Sequence, residues 1–173
     1  GRFFDLHTHL LDQVVLMHGP VATVYAELAA WTVTAEDDTF VALRHTDGYS
    51  THLSASSVAG APGPRARITG SAGTFLLGSA GGEPTAFHDA DGGPGQHGWL
   101  VRGDEREAVL ARSSDPADFY REVAAALASP DPQESMPVDP RDAVHVLAVI
   151  DAARISAADG RVVDVITPGE DPH

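Results

Sequence analysis

The chain has 173 residues, and 11 basic residues against 25 acidic ones give it a formal net charge of −14. This length can bury a hydrophobic core, while the acidic balance argues against binding to nucleic acid or to an anionic membrane surface. The chain contains no cysteine, and all its basic residues are arginines, which excludes disulfides, thiol nucleophiles and lysine-based catalysis. No apolar run is long enough to cross a bilayer.

Residues 3–18 are predicted to form an amphipathic helix, because they lack Gly and Pro and are followed by the stop signal Gly19-Pro20. Apolar residues recur in it at steps of three and four, as in the buried stripe of a helix. The predicted stripe comprises Phe3, Leu6, Leu10, Val14 and Met17. Another face of this helix carries Asp5, His9 and Asp12 at the same spacing.

A β-rich region follows the helix. Residues 21–33 are rich in β-branched and aromatic side chains and are predicted to form a strand. The Asp47-Gly48 turn predicts a hairpin of residues 39–46 and 49–57, since this dipeptide favours tight turns. A second hairpin is predicted around residues 70–72. Shorter strands are predicted at residues 85–88, 99–102 and 108–111, the first of them within a Gly-rich loop at 78–98.

The C-terminal part returns to helix. Asp115-Pro116 and Asp139-Pro140 each combine an N-cap residue with proline in the first turn, so each is predicted to open a helix. The predicted buried stripes are Tyr120, Val123, Ala124 and Leu127 in the first helix, and Ala143, Val146, Leu147, Ile150, Ala153 and Ala157 in the second. A short strand is predicted at 162–165, and the tail from Thr167 is predicted to be disordered.

This order of elements predicts an α+β fold with an open, mainly antiparallel β-sheet and helices packed on one face. The other face of such a sheet needs a cover, so it is a candidate interface with a second domain or a second subunit.

The segment from Asp5 to His9 has two chemical interpretations. On a strand, Asp5, His7 and His9 would point to one side and suit a metal-dependent hydrolase. On a helix, Asp5 and His9 share a face and His7 points elsewhere, an arrangement that suits proton transfer. The uninterrupted apolar stripe favours the helix, and with it no metal site.

The remaining sites are weaker. His45 and His52 flank the Asp47-Gly48 turn and are expected to form a solvated pair, and His145 is expected to be exposed. His88 and His97 lie in the Gly-rich loop. The Gly-rich run at 92–95 does not lead from a strand into a helix and has no lysine, so it is not interpreted as a phosphate loop.

Several motifs recur together in a known order. Residues 1–20 read Gly-x-x-x-Asp-x-x-x-His-Leu-x-Asp, followed by an apolar helix and Gly-Pro. The hairpin segments at 37–48 and 67–74 and the closing helix at 138–161 follow. In order and spacing these motifs resemble the C-terminal domain of the glucose-fructose oxidoreductase, inositol dehydrogenase and MocA (Gfo/Idh/MocA) family, whose open-sheet fold is similar to the C-terminal domain of glyceraldehyde-3-phosphate dehydrogenase.

The resemblance implies a two-domain, NAD(P)-dependent oxidoreductase of the cytoplasm that acts on a sugar, a polyol or a related hydroxylated small molecule. Residues 1–166 would be its substrate-binding and oligomerisation domain, forming a dimer or tetramer through the open sheet face, and residues 167–173 a tail. NAD or NADP would be bound by an N-terminal Rossmann domain that is absent from this chain, so the chain alone is expected to bind no cofactor and to be inactive.

The resemblance also implies roles for individual residues. His9 would take the hydroxyl proton as hydride leaves the carbon, and Asp5 would orient His9 or bind a substrate hydroxyl. Asp12, His7 and Thr8 are further candidate substrate contacts. The family usually has Gly where this chain has His7, whose imidazole would narrow the site, contact substrate or mark a lost activity. The alternatives are a metal-dependent hydrolase that uses Asp5, His7 and His9, and a non-catalytic dimerisation module.

Overall fold

The computed structural model describes residues 1–60, 65–77, 96–110, 115 and 117–169. The chain divides into two compact units, one made of Gly1–Val58 and Arg121–His173 and the other of Ala59–Tyr120. The predicted α+β class is confirmed, with the strands distributed over two antiparallel sheets rather than one. None of the described helices is both long enough and apolar enough to cross a membrane.

The first unit is a four-stranded sheet with two helices on its inner face. The sheet has the order β3-β2-β1-β8, and all its pairings are antiparallel. Its elements are α1 (Arg2–His18), β1 (Val21–Ala29), β2 (Asp38–His45), β3 (Ser50–Ser56), α3 (Pro140–Asp159) and β8 (Val163–Asp164). Helix α2 (Ala117–Leu127) crosses the boundary between the units in sequence.

The second unit is a four-stranded antiparallel sheet of the order β4-β5-β6-β7. Its strands are β4 (Ala66–Gly70), β5 (Gly73–Leu77), β6 (Gln96–Arg102) and β7 (Glu105–Leu110). Gly98 is required where β6 passes β5, because a Cβ at that position would lie 2.2 Å from the carbonyl oxygen of Leu76. The strand predicted at 85–88, with His88, lies outside the described residues.

The core of the first unit forms where α1 and α3 pack on alternate residues of β1 and β2. From the sheet it takes Val24, Ala26, Val41 and Leu43, and from α3 Val146, Val149, Ile150 and Ala153. The α3 stripe is therefore partly as predicted, but Leu147 is exposed. In α2 the predicted stripe is wrong, since Tyr120 and Leu127 are exposed and Ala126 is buried.

The buried stripe of α1 also differs from its prediction. The buried side chains are Phe3, His7, Leu11 and Val14, whereas Leu6 and Met17 are exposed. Apolar residues occupy both faces of this helix, so their positions alone did not determine which face is buried. The buried face includes a polar residue, His7, whose ring is hydrogen-bonded to Thr39 in the core.

The outer edge of β1 is completed by side chains of α3. Strand β8 pairs with Thr23 and Val24, and the Val165 N–H donates to the carbonyl of Ala22. On either side of it, the backbone N–H of Val21 donates to His145 Nε2 at 2.9 Å and that of Ala26 donates to Ser156 Oγ at 3.0 Å. His145 is therefore buried rather than exposed, and the prediction for it is wrong. Since Nε2 accepts, Nδ1 carries the hydrogen and donates to Thr167 Oγ1 at 2.6 Å.

Candidate functional site

The exposed face of α1 carries the residues singled out from the sequence. The segment is helical throughout, which confirms the helical interpretation, and Asp5, His9 and Asp12 all lie on its exposed side. Positions 5 and 9 are one helical turn apart and therefore neighbours on that surface. Within the described part of the chain, the side chains of these three residues form no hydrogen bond.

His7 points the opposite way, into the core, where its exposed fraction is 0%. Its Nε2 lies 2.8 Å from Thr39 Oγ1. Because the Thr39 hydroxyl donates its own hydrogen to the carbonyl of Ala55, it must accept the hydrogen of His7 Nε2. The other ring nitrogen, Nδ1, is buried and has no hydrogen-bond partner among the described residues.

Burial lowers the pKa of His7 to about 4, so this imidazole is neutral at pH 7. The side chain ties α1 to β2 and fixes how the helix presents its opposite face. A position in the core does not fit the prediction that His7 contacts substrate. Asp5, His7 and His9 do not lie on one side of the helix. Among the described residues, no three His, Asp or Glu side chains are placed to hold a metal ion.

Thr8 is half-buried beside this face. Its hydroxyl donates to the carbonyl oxygen of Phe4, one turn earlier, at 2.5 Å. The hydroxyl hydrogen is thus engaged within the helix, and only the oxygen lone pairs remain for a ligand. Asp12 follows His9 by three residues and extends the polar face by most of a turn.

The β2–β3 hairpin histidines are not a solvated pair, and that prediction is wrong. His45 is buried, donates from Nδ1 to the carbonyl of Gly19 at 2.8 Å and places Nε2 2.9 Å from Thr51 Oγ1. His52 lies opposite Ala42 in the sheet, on the other face, with its ring 5.9 Å from that of Phe40. His45 therefore has a structural role.

Residues 30–36 form a loop, whereas the sequence predicted that the strand continues to residue 33, because Trp31, Thr32 and Val33 favour a strand. Strand β1 ends at Ala29, and the buried carboxylate of Asp37 accepts the backbone N–H groups of Trp31 at 2.8 Å and Thr32 at 2.7 Å. The Thr32 hydroxyl adds a third bond at 2.6 Å. These bonds, the one from the Thr32 hydroxyl foremost, lower the pKa of Asp37 to about 2.

The Gly-rich run at 92–95 does not stand in the setting that binds the phosphates of a dinucleotide. A phosphate loop needs the N-terminus of a helix directly after its glycines, since backbone N–H groups there bind the phosphates. The Gly-rich run at 92–95 is instead followed by strand β6, which begins at Gln96.

Comparison with known proteins finds similarity between part of this chain and one protein family. Residues 1–76 match the model of the GFO/IDH/MocA C-terminal domain. The chain is 24% identical over 178 residues to scyllo-inositol 2-dehydrogenase (NADP(+)) IolW of Bacillus subtilis (strain 168), covering 94% of this chain and 49% of that protein. It thus spans about half the length of this curated relative.

Solved structures share the fold. Levoglucosan dehydrogenase, in complex with NADH and levoglucosan, superposes with a TM-score of 0.70 at 19% identity, covering 96% of this chain and 51% of that one. The WlbA dehydrogenase of Bordetella pertussis, in complex with NADH and UDP-GlcNAcA, gives a TM-score of 0.58 at 21% identity, covering 96% and 45%. Residues 1–76, which hold α1 and the first hairpin, are therefore similar to the C-terminal domain of the Gfo/Idh/MocA family, and the similarity to the curated relative and to the solved structures extends over nearly the whole chain.

Proposed function

We propose that this chain is the substrate-binding and oligomerisation domain of an NAD(P)-dependent oxidoreductase that acts on a sugar, a polyol or a related hydroxylated compound. The observation that carries the proposal is the placement of Asp5 and His9 one turn apart on the exposed face of a helix whose other face is fixed in the core. The substrate class is supported by the similarity of this chain to an inositol dehydrogenase and to a levoglucosan dehydrogenase.

In this reaction the alcohol group of the substrate loses a proton from its oxygen and a hydride from its carbon. The imidazole of His9 accepts the hydroxyl proton, and the C–O bond becomes a carbonyl as the hydride leaves the same carbon. A nicotinamide, bound by the other half of the protein, supplies the hydride acceptor. Imidazole suits the proton transfer because it changes charge near neutral pH.

Asp5 supports His9 in this proposal. A carboxylate one turn away stabilises the imidazolium that forms when His9 is protonated, and it also accepts a hydrogen bond from a neighbouring substrate hydroxyl. Asp12 and the oxygen of Thr8 offer further contacts to a polyhydroxylated compound. His7 acts behind the surface, by holding α1 against β2.

The first prediction concerns His9 in the full-length protein that carries this chain. His9→Ala lowers kcat about a hundredfold or more, because the step loses its general base. Asp5→Ala changes both kcat and KM, since it removes the partner of His9 and a substrate contact. Steady-state rates with NAD and NADP over a panel of sugars and polyols measure both effects.

Asp151→Ala is the matched control, since it removes an exposed titratable side chain of α3, away from both the α1 site and the outer face of the sheet. It is expected to leave kcat unchanged. Equal rates for wild type and His9→Ala would reject the catalytic proposal and favour a non-catalytic dimerisation module.

We also propose that the outer face of the first sheet is where copies of the protein associate. Helices α1 and α3 pack on the inner face, whose side chains alternate with those of the outer face. The outward-facing residues include Tyr25, Phe40 and Ala42. Their apolar surface lies beside polar side chains of the neighbouring strands, a composition that is common in protein interfaces.

A further inference from the structure

We propose that the buried hydrogen bond between His7 and Thr39 sets the rotation of α1 about its own axis, and that both residues are therefore positioning residues for His9. This inference rests on the proposed function and goes beyond it, because it makes catalysis depend on two core side chains that do not contact the substrate. Three observations carry it: the ambiguous apolar pattern of α1, the direction of the bond and the distance over which a rotation would move His9.

The apolar residues of α1 leave the rotation of the helix open. Two overlapping stripes share Phe3 and Val14. The stripe in the core adds His7 and Leu11. The stripe expected from the spacing alone adds Leu6, Leu10 and Met17. Since each residue advances a helix by about 100°, the centres of the two stripes lie roughly 55° apart around the axis. The burial of apolar surface is non-directional, so it distinguishes poorly between these two rotations.

The bond from His7 does distinguish them, because a hydrogen bond has a required direction. Nε2 of His7 donates to Thr39 Oγ1 at 2.8 Å, and the same hydroxyl donates to the carbonyl oxygen of Ala55 at 2.8 Å. The bonds thus connect α1 to β2 and, through it, to β3. A rotation of α1 would carry the imidazole away from Thr39, which is itself buried, and would forfeit this bond inside the core.

The rotation matters for catalysis because His9 is carried on the exposed side of the same helix. Side chains lie about 5–6 Å from a helix axis, so a rotation of roughly 55° would shift Asp5 and His9 by about 5 Å. A reacting group that is misplaced by only about 1 Å can lose about a hundredfold in rate. A bond inside the core therefore fixes where the imidazole of His9 meets the substrate.

The test removes both polar partners of the bond in the full-length protein that carries this chain. The double variant His7→Leu/Thr39→Val replaces them by apolar side chains of similar volume, an exchange that leaves stability unchanged or raises it. Leu at position 7 extends the apolar surface between the two stripes, so neither rotation is preferred. We expect kcat/KM to fall about fivefold or more, while the urea midpoint of unfolding stays at or above the wild-type value.

Two single variants separate positioning from stability. Thr39→Ser keeps the hydroxyl that accepts from His7, so it is expected to retain most of kcat/KM. Thr51→Val is the matched control, because Thr51 Oγ1 is also the partner of a buried histidine, at 2.9 Å from His45 Nε2. That bond lies within the β2–β3 hairpin and does not include α1, so Thr51→Val lowers the unfolding midpoint without changing kcat/KM.

A wild-type kcat/KM in the double variant overturns the inference and leaves the proposed function intact. A fall in kcat/KM that accompanies a lower midpoint in every variant, Thr51→Val included, also overturns it, since the bond would then act through stability alone. If the double variant does not fold, Thr39→Val is compared with Thr39→Ser, and the same difference in kcat/KM is expected. A wild type without NAD(P)-dependent turnover on any substrate overturns the proposed function and this inference with it.

Discussion

Three buried histidines each join separate parts of the first unit. His7 links α1 to β2, His45 links β2 to the turn after α1, and His145 links α3 to the start of β1. Residue type did not reveal this, because histidine occurs both in cores and at surfaces. What decides its burial is a partner distant in sequence, and such a partner is visible only once the chain is folded.

The second prediction follows from the depressed pKa of His7. The unfolded chain binds a proton at this residue near the ordinary value of 6.5, whereas the folded chain does so only near 4. The stabilisation is therefore complete above about pH 6.5 and is lost as the pH falls from there to about 4. Between pH 7.5 and 4.5 the loss at this one group is on the order of 2 kcal/mol.

Urea unfolding at these two pH values measures the loss, with His7→Phe as the variant that cannot titrate. The variant is expected to lose less free energy of unfolding on acidification than the wild type. Parallel losses in the two proteins would show that the neutral form of His7 is not preferred in the core. Asp37 contributes little in this window, because its stabilisation is lost as the pH falls from the ordinary value of 3.8 to about 2.

At the scale of elements, the boundaries marked by local signals are those the sequence predicted. Asp139 caps α3 by accepting from the Arg141 N–H at 2.9 Å, and Gly160 ends that helix in the left-handed conformation. The Asp47-Gly48 turn joins β2 to β3, with Gly48 at a φ of 86°. The prediction failed at residues 31–33, where a side chain six residues away took the backbone hydrogen bonds that a strand would have used.

The third prediction concerns Ser156, which connects two elements. Its oxygen accepts the Ala26 N–H, and its hydroxyl donates to the carbonyl of Arg161 at 2.5 Å. Ser156→Ala leaves both backbone groups without this partner, and since the Ala26 N–H is buried, the free energy of unfolding falls by about 1–3 kcal/mol. Ser54→Ala, on the exposed outer face of β3, is the control and should change stability by less than about 0.5 kcal/mol.

Denaturant titrations of the two serine variants make the comparison. Equal stabilities would mean that the edge of β1 does not depend on the hydroxyl of α3. A loss confined to Ser156→Ala supports the view that α3 acts as part of the sheet edge as well as part of the core.

At the scale of the whole molecule, the strand segments and their hairpin partners were largely predictable, but their division into two sheets was not. Hairpins are specified by turns between neighbouring strands, whereas the pairing of β1 with β8 joins residues far apart in sequence. Likewise, the helical spacing predicted that Asp5, His9 and Asp12 share one face of α1. The burial of His7 could not be predicted in the same way, because it depends on contact with β2.

The association proposed for the outer face gives a prediction at this scale. Ala42 is central on that face, opposite Tyr25 on one side and His52 on the other. Ala42→Glu places an unpaired charge in the proposed interface and lowers the molar mass measured by light scattering. Ala124→Glu, on the exposed surface of α2, should leave the mass unchanged. If neither variant has a reduced molar mass, the interface does not lie on this face.

The way α3 completes the edge of β1 also affects how the chain folds as it is synthesised. The bonds from Val21 to His145 and from Ala26 to Ser156 span 124 and 130 residues. A nascent chain that has produced α1 and the first three strands therefore still presents β1 as an unpaired edge, open to pairing with other chains. The edge closes only when α3 and β8 have both emerged, so it stays open until late in the translation of this domain.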